Sequence, residues 1–237
     1  MKLSVILPTL NEEHFITKTL QSIAQQELPN GVSLELLIVD GGSSDRTCEK
    51  VISFFDSNDT LPVRMFRSVR GRAVQLNCGA DFATGDALLF LHADTTLSTN
   101  ALAELARVMQ DEHVQYGYFA MNFDDPHPLA MLYSAATRLN SILTHYGDSG
   151  LFARRTFFEA IGRFPEQEFM EDVEFLLRAR AVAEPTLIAS ATVTTSARRF
   201  KKNGFLSQQL LNAYLIARYI LGADVHELKK RYSSLER

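Results

Sequence analysis

The stretch DALLFLHADTTLS, residues 86–98, decides the fold. Ala87 to Leu91 form an unbroken apolar run that is comfortable only inside a sheet, as strands covered on both faces are. The run ends on His92 and Asp94, side chains that want water or a cation. In an open α/β sheet, ligands bind outside the carboxyl ends of the strands. A buried strand with an imidazole and a carboxylate at its carboxyl end therefore marks both a sheet and the edge of a site.

Outward from this strand the same rhythm recurs. LSVILPTL (3–10) reads as a buried strand bounded by Pro8. NEEHFITKTLQSIAQQ follows, with apolar residues at 15, 16, 20 and 23 in amphipathic helical spacing and Asn11 placed to cap it. LELLIVD (34–40) is a second apolar strand, and GGSSDRTCEKVISFF begins a second helix with Ser43 or Ser44 as its cap. VRMFRS (63–68) and RAVQLNCGADFA (72–83) repeat the pair. Strands alternating with helices predict an α/β fold: a mainly parallel central sheet with flanking helices.

After Asp111 the rhythm changes. VQYGYFAMNF (114–123) alternates like a half-buried strand and PLAMLYSAATRLNSILTHY (128–146) is helical. GDSGLFARRTFFEAIGRF reads as a turn leading into a strand and a helix. MEDVEFLLRARAVA (170–183) is a helix with acids at its start, where its dipole favours them. TLIASATVTTSARR (186–199) is β-rich, and FLSQQLLNAYLIARYILG is a long closing helix.

The totals narrow the function. The chain has 237 residues, 46% hydrophobic, with a formal charge of −4, which suits one large domain and gives no broadly basic face for nucleic acid. Two cysteines, Cys48 and Cys78, are too few for a disulfide framework, so a reducing, cytoplasmic setting is expected. The apolar run in MKLSVILPTLNEE is too short for a signal peptide and is stopped by Pro8. No run reaches the ~18 apolar residues of a membrane span.

Three strand ends bring polar groups to one edge: Thr9 to Glu12, Asp40, and His92 with Asp94. Asn11 alone reads as a turn former or cap. Asp40 stands beside two glycines, which let a ring approach the backbone, and its carboxylate can accept from a base N–H or a ribose hydroxyl. GGSS is not the G-x-G-x-x-G fingerprint of hydride-transfer enzymes. Asp94 is a hard oxygen ligand of the kind Mg²⁺ or Mn²⁺ prefers, such ions keeping waters and bridging to phosphates. His92 reads as a ligand, a partner for phosphate or ribose, or a turn histidine. Glu171 and Asp172 are adjacent on a helix, pointing ~100° apart, so they do not share one job.

SVILPTLNEE, LLIVDGGSSDRT, GRAVQLNCGADFATGDALLFLHADT, FMEDVEFLLRAR and SARRF stand in the order found in glycosyltransferase family 2, of GT-A fold. Over residues 3–200 the chain resembles that family, and within it a bacterial subgroup with H-A-D in place of D-x-D. The resemblance implies a GT-A domain over 1–204, with a nucleotide-sugar-binding half (1–111) and an acceptor and catalytic half (112–204), and a C-terminal helical segment, 205–237. It implies that Pro8, Thr9, Asn11 and Glu12 line the nucleotide pocket and that Asp40 binds base or ribose. Arg70, Gly71, Arg72 and Asn77 would run along the donor. Asp94 would hold a divalent cation, Mn²⁺ or Mg²⁺, on the diphosphate, with His92 where an acid is commoner. Asp172 would be the general base and Glu171 its positioning partner. Asp148, Ser149 and Gly150 would lie under the acceptor, and Arg198 and Arg199 would reach the diphosphate.

These expectations describe an inverting, metal-dependent glycosyltransferase using a nucleotide-sugar donor, UDP-linked, and an unidentified hydroxyl acceptor. A sugar-phosphate nucleotidyltransferase would put a Gly-rich, basic loop after the first strand, where PTLNEE has neither. A non-catalytic nucleotide-sugar sensor would fit the thinned metal motif but would not need MED. On the closing helix Leu206, Leu210, Tyr214, Ala217 and Leu221 form one apolar stripe, widened by Leu211, Leu215 and Ile216. Ser207, Gln208, Asn212 and Arg218 are left for the other side. The stripe reads as a face docked on the domain or paired in a homodimer. It reads alternatively as a peripheral contact with the inner face of the membrane, RRFKK and KKR attracting anionic headgroups to reach a lipid-linked acceptor.

Overall fold

The computed structural model describes residues 1–57, 61–139 and 147–234. Within them one eight-stranded sheet has the order β3-β2-β1-β4-β7-β6-β8-β5. The strands are β1 (Lys2–Thr9), β2 (Ser33–Asp40), β3 (Val63–Arg67), β4 (Ala87–Phe90), β5 (Thr95–Leu97), β6 (Tyr116–Phe123), β7 (Leu151–Arg154) and β8 (Thr186–Thr195). β1 to β4 are mutually parallel. β7 joins antiparallel to β4, β6 runs antiparallel to β7 and parallel to β8, and β5 closes the far edge antiparallel to β8.

Helices cover both faces, as the uninterrupted apolar strands require. Leu3, Val5 and Leu7 of β1 and Leu89 of β4 point to the face held by α1 (Ile16–Ala24), α2 (Thr47–Asp56) and α4 (Ala101–Val108). Ile6, Leu88 and Phe90 point to the opposite face, held by α3 (Arg72–Phe82), α6 (Arg155–Ala160) and α7 (Glu171–Arg180). This is the period-two alternation of a strand with both sides in the core. The remaining helices are α5 (Pro128–Ala136), α8 (Arg198–Asn203), α9 (Phe205–Ile220) and α10 (Val225–Ser234). The helix expected over 128–146 is α5; residues 140–146 lie outside the described residues.

Several local expectations are corrected. Asn11 does not cap α1, which starts at Ile16 without a side-chain cap. It sits at φ 55°, and its Oδ1 accepts the Ser44 N–H at 2.8 Å, tying the β1 and β2 loops together. Neither Ser43 nor Ser44 caps α2; Asp45 does that work, accepting the Thr47 N–H at 3.0 Å. RRFKK, expected as part of a β-rich run and a basic loop, begins a short helix, α8.

The closing helix, α9, docks through the residues that widened the predicted stripe, Leu211, Leu215 and Ile216, and not through its central row. Phe205, Gln208, Leu215 and Ile216 are its buried residues, Leu215 and Ile216 packing on Met170, Val173 and, from α10, Leu228. Leu206, Leu210 and Leu221 face solvent. The polar ladder Gln208–Asn212, expected outside, is turned inward, its amides bonded at 2.8 Å.

Candidate active site

The carboxyl ends of the parallel strands and the loops after them enclose a cleft of about 560 Å³. Of the predicted residues, Pro8, Thr9, Glu12, Arg70, Gly71, Arg72, His92, Asp94, Asp148, Arg198 and Arg199 line it. Glu171 and Asp172 line an adjoining cavity of about 270 Å³, and Arg72, Asp148 and Arg199 belong to both walls. The structure thus brings strand tips, the start of α3, the start of α7 and the start of α8 around one space.

At its centre Arg72, the first residue of α3, carries a cluster of acids. Its Nε is bonded to Glu171 Oε1, its Nη2 lies 2.6 Å from Asp172 Oδ2, and its Nη1 lies 4.0 Å from Asp148 Oδ1. Burial works to lower the Arg72 pKa, but Glu171, Asp172 and Asp148 together raise it, so the guanidinium stays charged. Asp172 is buried, and its second oxygen accepts the Val173 N–H at 2.8 Å.

His92 Nδ1 lies 2.9 Å from Asp148 Oδ1. Burial works to raise the Asp148 pKa, yet His92 above all, then Arg72 and Arg199, hold it below the usual carboxylate range. Asp94 is shifted the other way: burial raises its pKa, and the neighbouring Asp148 and Glu12 add to this against His92 and Arg198. Arg198 forks onto Glu12 at 2.8 and 2.7 Å and places Nη2 3.2 Å from Asp94 Oδ2.

No group of three or more His, Cys, Asp or Glu side chains among the described residues is arranged to hold a metal ion. Asp94 is nonetheless a half-buried hard-oxygen donor on the cleft wall. One carboxylate, with an imidazole nearby, fits a Mg²⁺ or Mn²⁺ ion that takes its other ligands from water and substrate phosphates. His92, held through Nδ1 by Asp148, has the orienting partner that ligating histidines commonly have.

Five predicted residues line neither of these two cavities: Asn11, whose side chain is tied to the Ser44 N–H, Asp40, Asn77, Ser149 and Gly150. Asp40 is wholly buried, and its carboxylate accepts from the Gly42 and Ser43 N–H groups, the Ser43 hydroxyl and Thr9 Oγ1. Burial opposes ionisation there, but the Ser43 and Gly42 bonds lower the pKa overall. The carboxylate shapes the β2 turn and is not among the residues lining the cleft. Asn77 bonds the Phe164 carbonyl at 2.8 Å and lines a separate groove beside Arg163. Gly150 forms a turn at φ 63° against Phe119 and Val193, while Ser149 borders a small third cavity with Asp148.

The sequence reading missed Gln75, Phe200, Gln208, Asn212 and Tyr232. Gln75 lines the cleft and bonds the Thr9 and Val39 carbonyls, each at 2.8 Å. Gly41 permits this approach, since a Cβ there would come within 2.9 Å of the Gln75 side chain. A signal existed: Gln75 is one helical turn beyond Arg72, on the same face. Phe200 borders both main cavities from α8, and Gln208, Asn212 and Tyr232 wall the smaller one from α9 and α10.

A sheet of this topology, with polar strand ends on one edge and an acid-bearing helix opposite, is the GT-A fold. S. aureus TarS 1–349 in complex with UDP-GlcNAc superposes with a TM-score of 0.70 at 23% identity, over 95% of this chain and 68% of that one. The mannosyltransferase PcManGT from Pyrobaculum calidifontis, in complex with GDP-Man and Mn²⁺, gives 0.67 at 22% identity, over 94% and 65%. At such identities the fold is what is shared. The family model for Glycosyl transferase family 2 matches residues 4–165, and the chain belongs to that family. Among curated relatives, the Escherichia coli UDP-Glc:alpha-D-GlcNAc-diphosphoundecaprenol beta-1,3-glucosyltransferase WfgD is 31% identical over 115 residues, 48% of this chain and 44% of that protein. The minor teichoic acid biosynthesis protein GgaA of Bacillus subtilis is 27% identical over 188 residues, 73% of this chain and 42% of that one. The chain thus matches less than half the length of these relatives. Glu171, Asp172 and helices α8 to α10 lie beyond the stretch matched to the family.

Proposed function

We propose that the chain is an inverting, metal-dependent glycosyltransferase that moves a sugar from a UDP-sugar to a hydroxyl of a lipid-linked acceptor, in a bacterial cytoplasm at the membrane face. One observation carries this reading: the cleft at the strand ends and the cavity holding Glu171 and Asp172 meet at Arg72 and Asp148. A donor in the first would present its anomeric carbon to an acceptor in the second. UDP-GlcNAc in the TarS complex and UDP-Glc in the name of WfgD support the donor class. The diphosphoundecaprenol in that name supports the acceptor class.

In this reading Asp172 takes the proton of the acceptor hydroxyl as it attacks, and a single displacement inverts the anomeric centre. Arg72 pairs with Asp172 and holds it in place, with Glu171 alongside. Arg198 and Arg199 oppose the charge that grows on the leaving diphosphate, for which a guanidinium offers bidentate bonding. A divalent cation held by Asp94, with His92 beside it, would supply further charge neutralisation at that diphosphate.

Incubation with Mn²⁺ and a panel of nucleotide sugars tests the proposal. Slow hydrolysis of a UDP-sugar, faster than in protein-free controls and lost in Asp172→Asn, is expected. Binding of a nucleotide sugar without any turnover, with or without acceptor lipid, would leave the sensor reading in its place.

A further inference from the structure

Glu12 lies in the loop between β1 and α1, Asp94 follows β4, and Arg198 opens α8; the three meet in the cleft although the last lies 186 residues from the first. The contact is built on every side. Both Arg198 terminal nitrogens bond Glu12, Nη2 reaches Asp94 at 3.2 Å, and the guanidinium lies 4.8 Å above the Phe15 ring. A cation over an aromatic face, facing a carboxylate fork, is held in one place. The oxygen it approaches, Asp94 Oδ2, belongs to the carboxylate assigned above to a divalent ion.

We propose that Arg198 and the divalent cation compete for Asp94, so that ion and nucleoside diphosphate bind as a coupled pair. The inference rests on the reading of Asp94 as the ion's ligand. An ion bound at about 2.0–2.2 Å from that carboxylate cannot share it with a guanidinium without cation–cation repulsion. The ion alone must therefore displace Arg198 and leave it no new anion. A diphosphate changes the balance, because its oxygens accept the same two-pronged bonding that Glu12 provides. With nucleotide present, Arg198 exchanges its bonds to Glu12 and Asp94 for phosphate, and the vacated Asp94 carboxylate takes the ion. Linkage makes the effect reciprocal: the nucleotide strengthens ion binding by the factor by which the ion strengthens nucleotide binding.

Electron paramagnetic resonance of Mn²⁺ reads this without any turnover. The full-length protein is titrated with Mn²⁺ alone and with UDP, against UDP–Mn²⁺ controls lacking protein. Wild type is expected to bind Mn²⁺ at least ~10-fold more tightly with UDP, within the usual range of coupling between sites. Arg198→Gln is expected to bind Mn²⁺ alone ~10-fold more tightly than wild type and to lose most of the gain from UDP. Arg198→Lys, which keeps a cation, should bind Mn²⁺ alone no better than wild type. Unchanged or weaker Mn²⁺ binding by Arg198→Gln overturns the competition, as does equal Mn²⁺ affinity with and without UDP in wild type, whether or not the variant folds. Asp94→Asn separates the two layers. If it retains UDP-dependent Mn²⁺ binding, the assignment of Asp94 is itself wrong. If it loses that binding while Arg198→Gln leaves Mn²⁺ alone unaffected, only the competition fails.

Discussion

Arg72 Nη2 lies 2.6 Å from Asp172 Oδ2, joining the first turn of α3 to the first turn of α7 across one hundred residues of sequence. That contact fixes the Asp172 carboxylate at the boundary of the two cavities, where the proposed mechanism needs a base. Asp172→Asn removes the basic lone pair and preserves the shape. Transfer should fall by the ~10²–10⁴-fold typical of lost general acid–base catalysis, with donor KM nearly unchanged. Steady-state kinetics checks both halves; near-normal turnover would move the base to Glu171 or Asp148.

The same contact predicts an asymmetric effect on stability. Arg72→Met strands Glu171 and Asp172, both buried, as uncompensated charges. Removing one partner of a buried pair is costly; because Arg72 is itself one-third exposed, a loss of about 3 kcal/mol is expected. Urea denaturation should show Arg72→Met less stable than the triple variant with Glu171→Gln and Asp172→Asn added, since that variant leaves neither acid charged and unpaired.

Glu35 gives a pH dependence far from the site. It is buried near the amino end of β2, between β3 and β1, where burial works to raise its pKa. The Ser4 hydroxyl, the Thr84 N–H, Lys2 and the Thr84 hydroxyl prevail and lower it from 4.5 to about 2. A carboxyl with a depressed folded pKa contributes stability that is complete above its unfolded value and lost as pH falls through the folded one. A contribution of about 3 kcal/mol should therefore fade between pH of about 4.5 and about 2. Denaturation midpoints measured across that window should fall steeply in wild type and more gently in Glu35→Gln.

The strands and the helices that follow them were legible because apolar runs closed by Pro, Gly and Asp leave few alternatives. The strand order, the three-residue β5 and the six-residue α8 were not, since nothing so short carries a period. Residues that line the cleft were legible where a polar group follows a strand directly, as His92 and Asp94 do. They failed where a side chain turns back on its own backbone. Asp40 was expected to meet the nucleotide, and instead satisfies the Gly42 and Ser43 N–H groups. No pattern reports that choice, because an acid after a strand looks the same whichever way it points. Gln208 and Asn212 failed for a related reason: polar residues on an amphipathic helix are assigned to solvent, but here they bond each other inside a cavity wall.

That account of Asp40 is itself testable. Asp40→Ala leaves two turn N–H groups without their acceptor, and a loss of about 2 kcal/mol is expected from buried donors of this kind. Differential scanning calorimetry should show the lowered melting temperature without any nucleotide present. A variant as stable as wild type, with uridine binding abolished, would return Asp40 to direct contact with the base.

The solvent side of α9 supports the proposed membrane contact more specifically than the sequence did. Leu206 and Leu210 are 59% and 62% exposed, Ser207, Ala213, Ala217 and Ile220 continue that face, and Arg218 and Arg231 lie over the Tyr214 ring at its side. Met131 and Leu132 of α5, which packs beside α9, are exposed as well. Exposed apolar side chains of this kind would suit the proposed contact, and Lys202 of α8, with Lys201 paired to Asp125 beside it, would add attraction for anionic headgroups. Removing residues 205–237 is a poor test, because Leu215, Ile216 and Leu228 pack on the Met170 and Val173 that flank Asp172. Leu206→Asp with Leu210→Asp is the better one, since both side chains point away from that core. The double variant should keep the wild-type melting temperature, and its flotation with anionic liposomes at low salt should drop to the level seen with neutral liposomes. Wild-type protein that never floats, yet sediments as a dimer which the same double variant splits, would assign this face to a second copy of the chain.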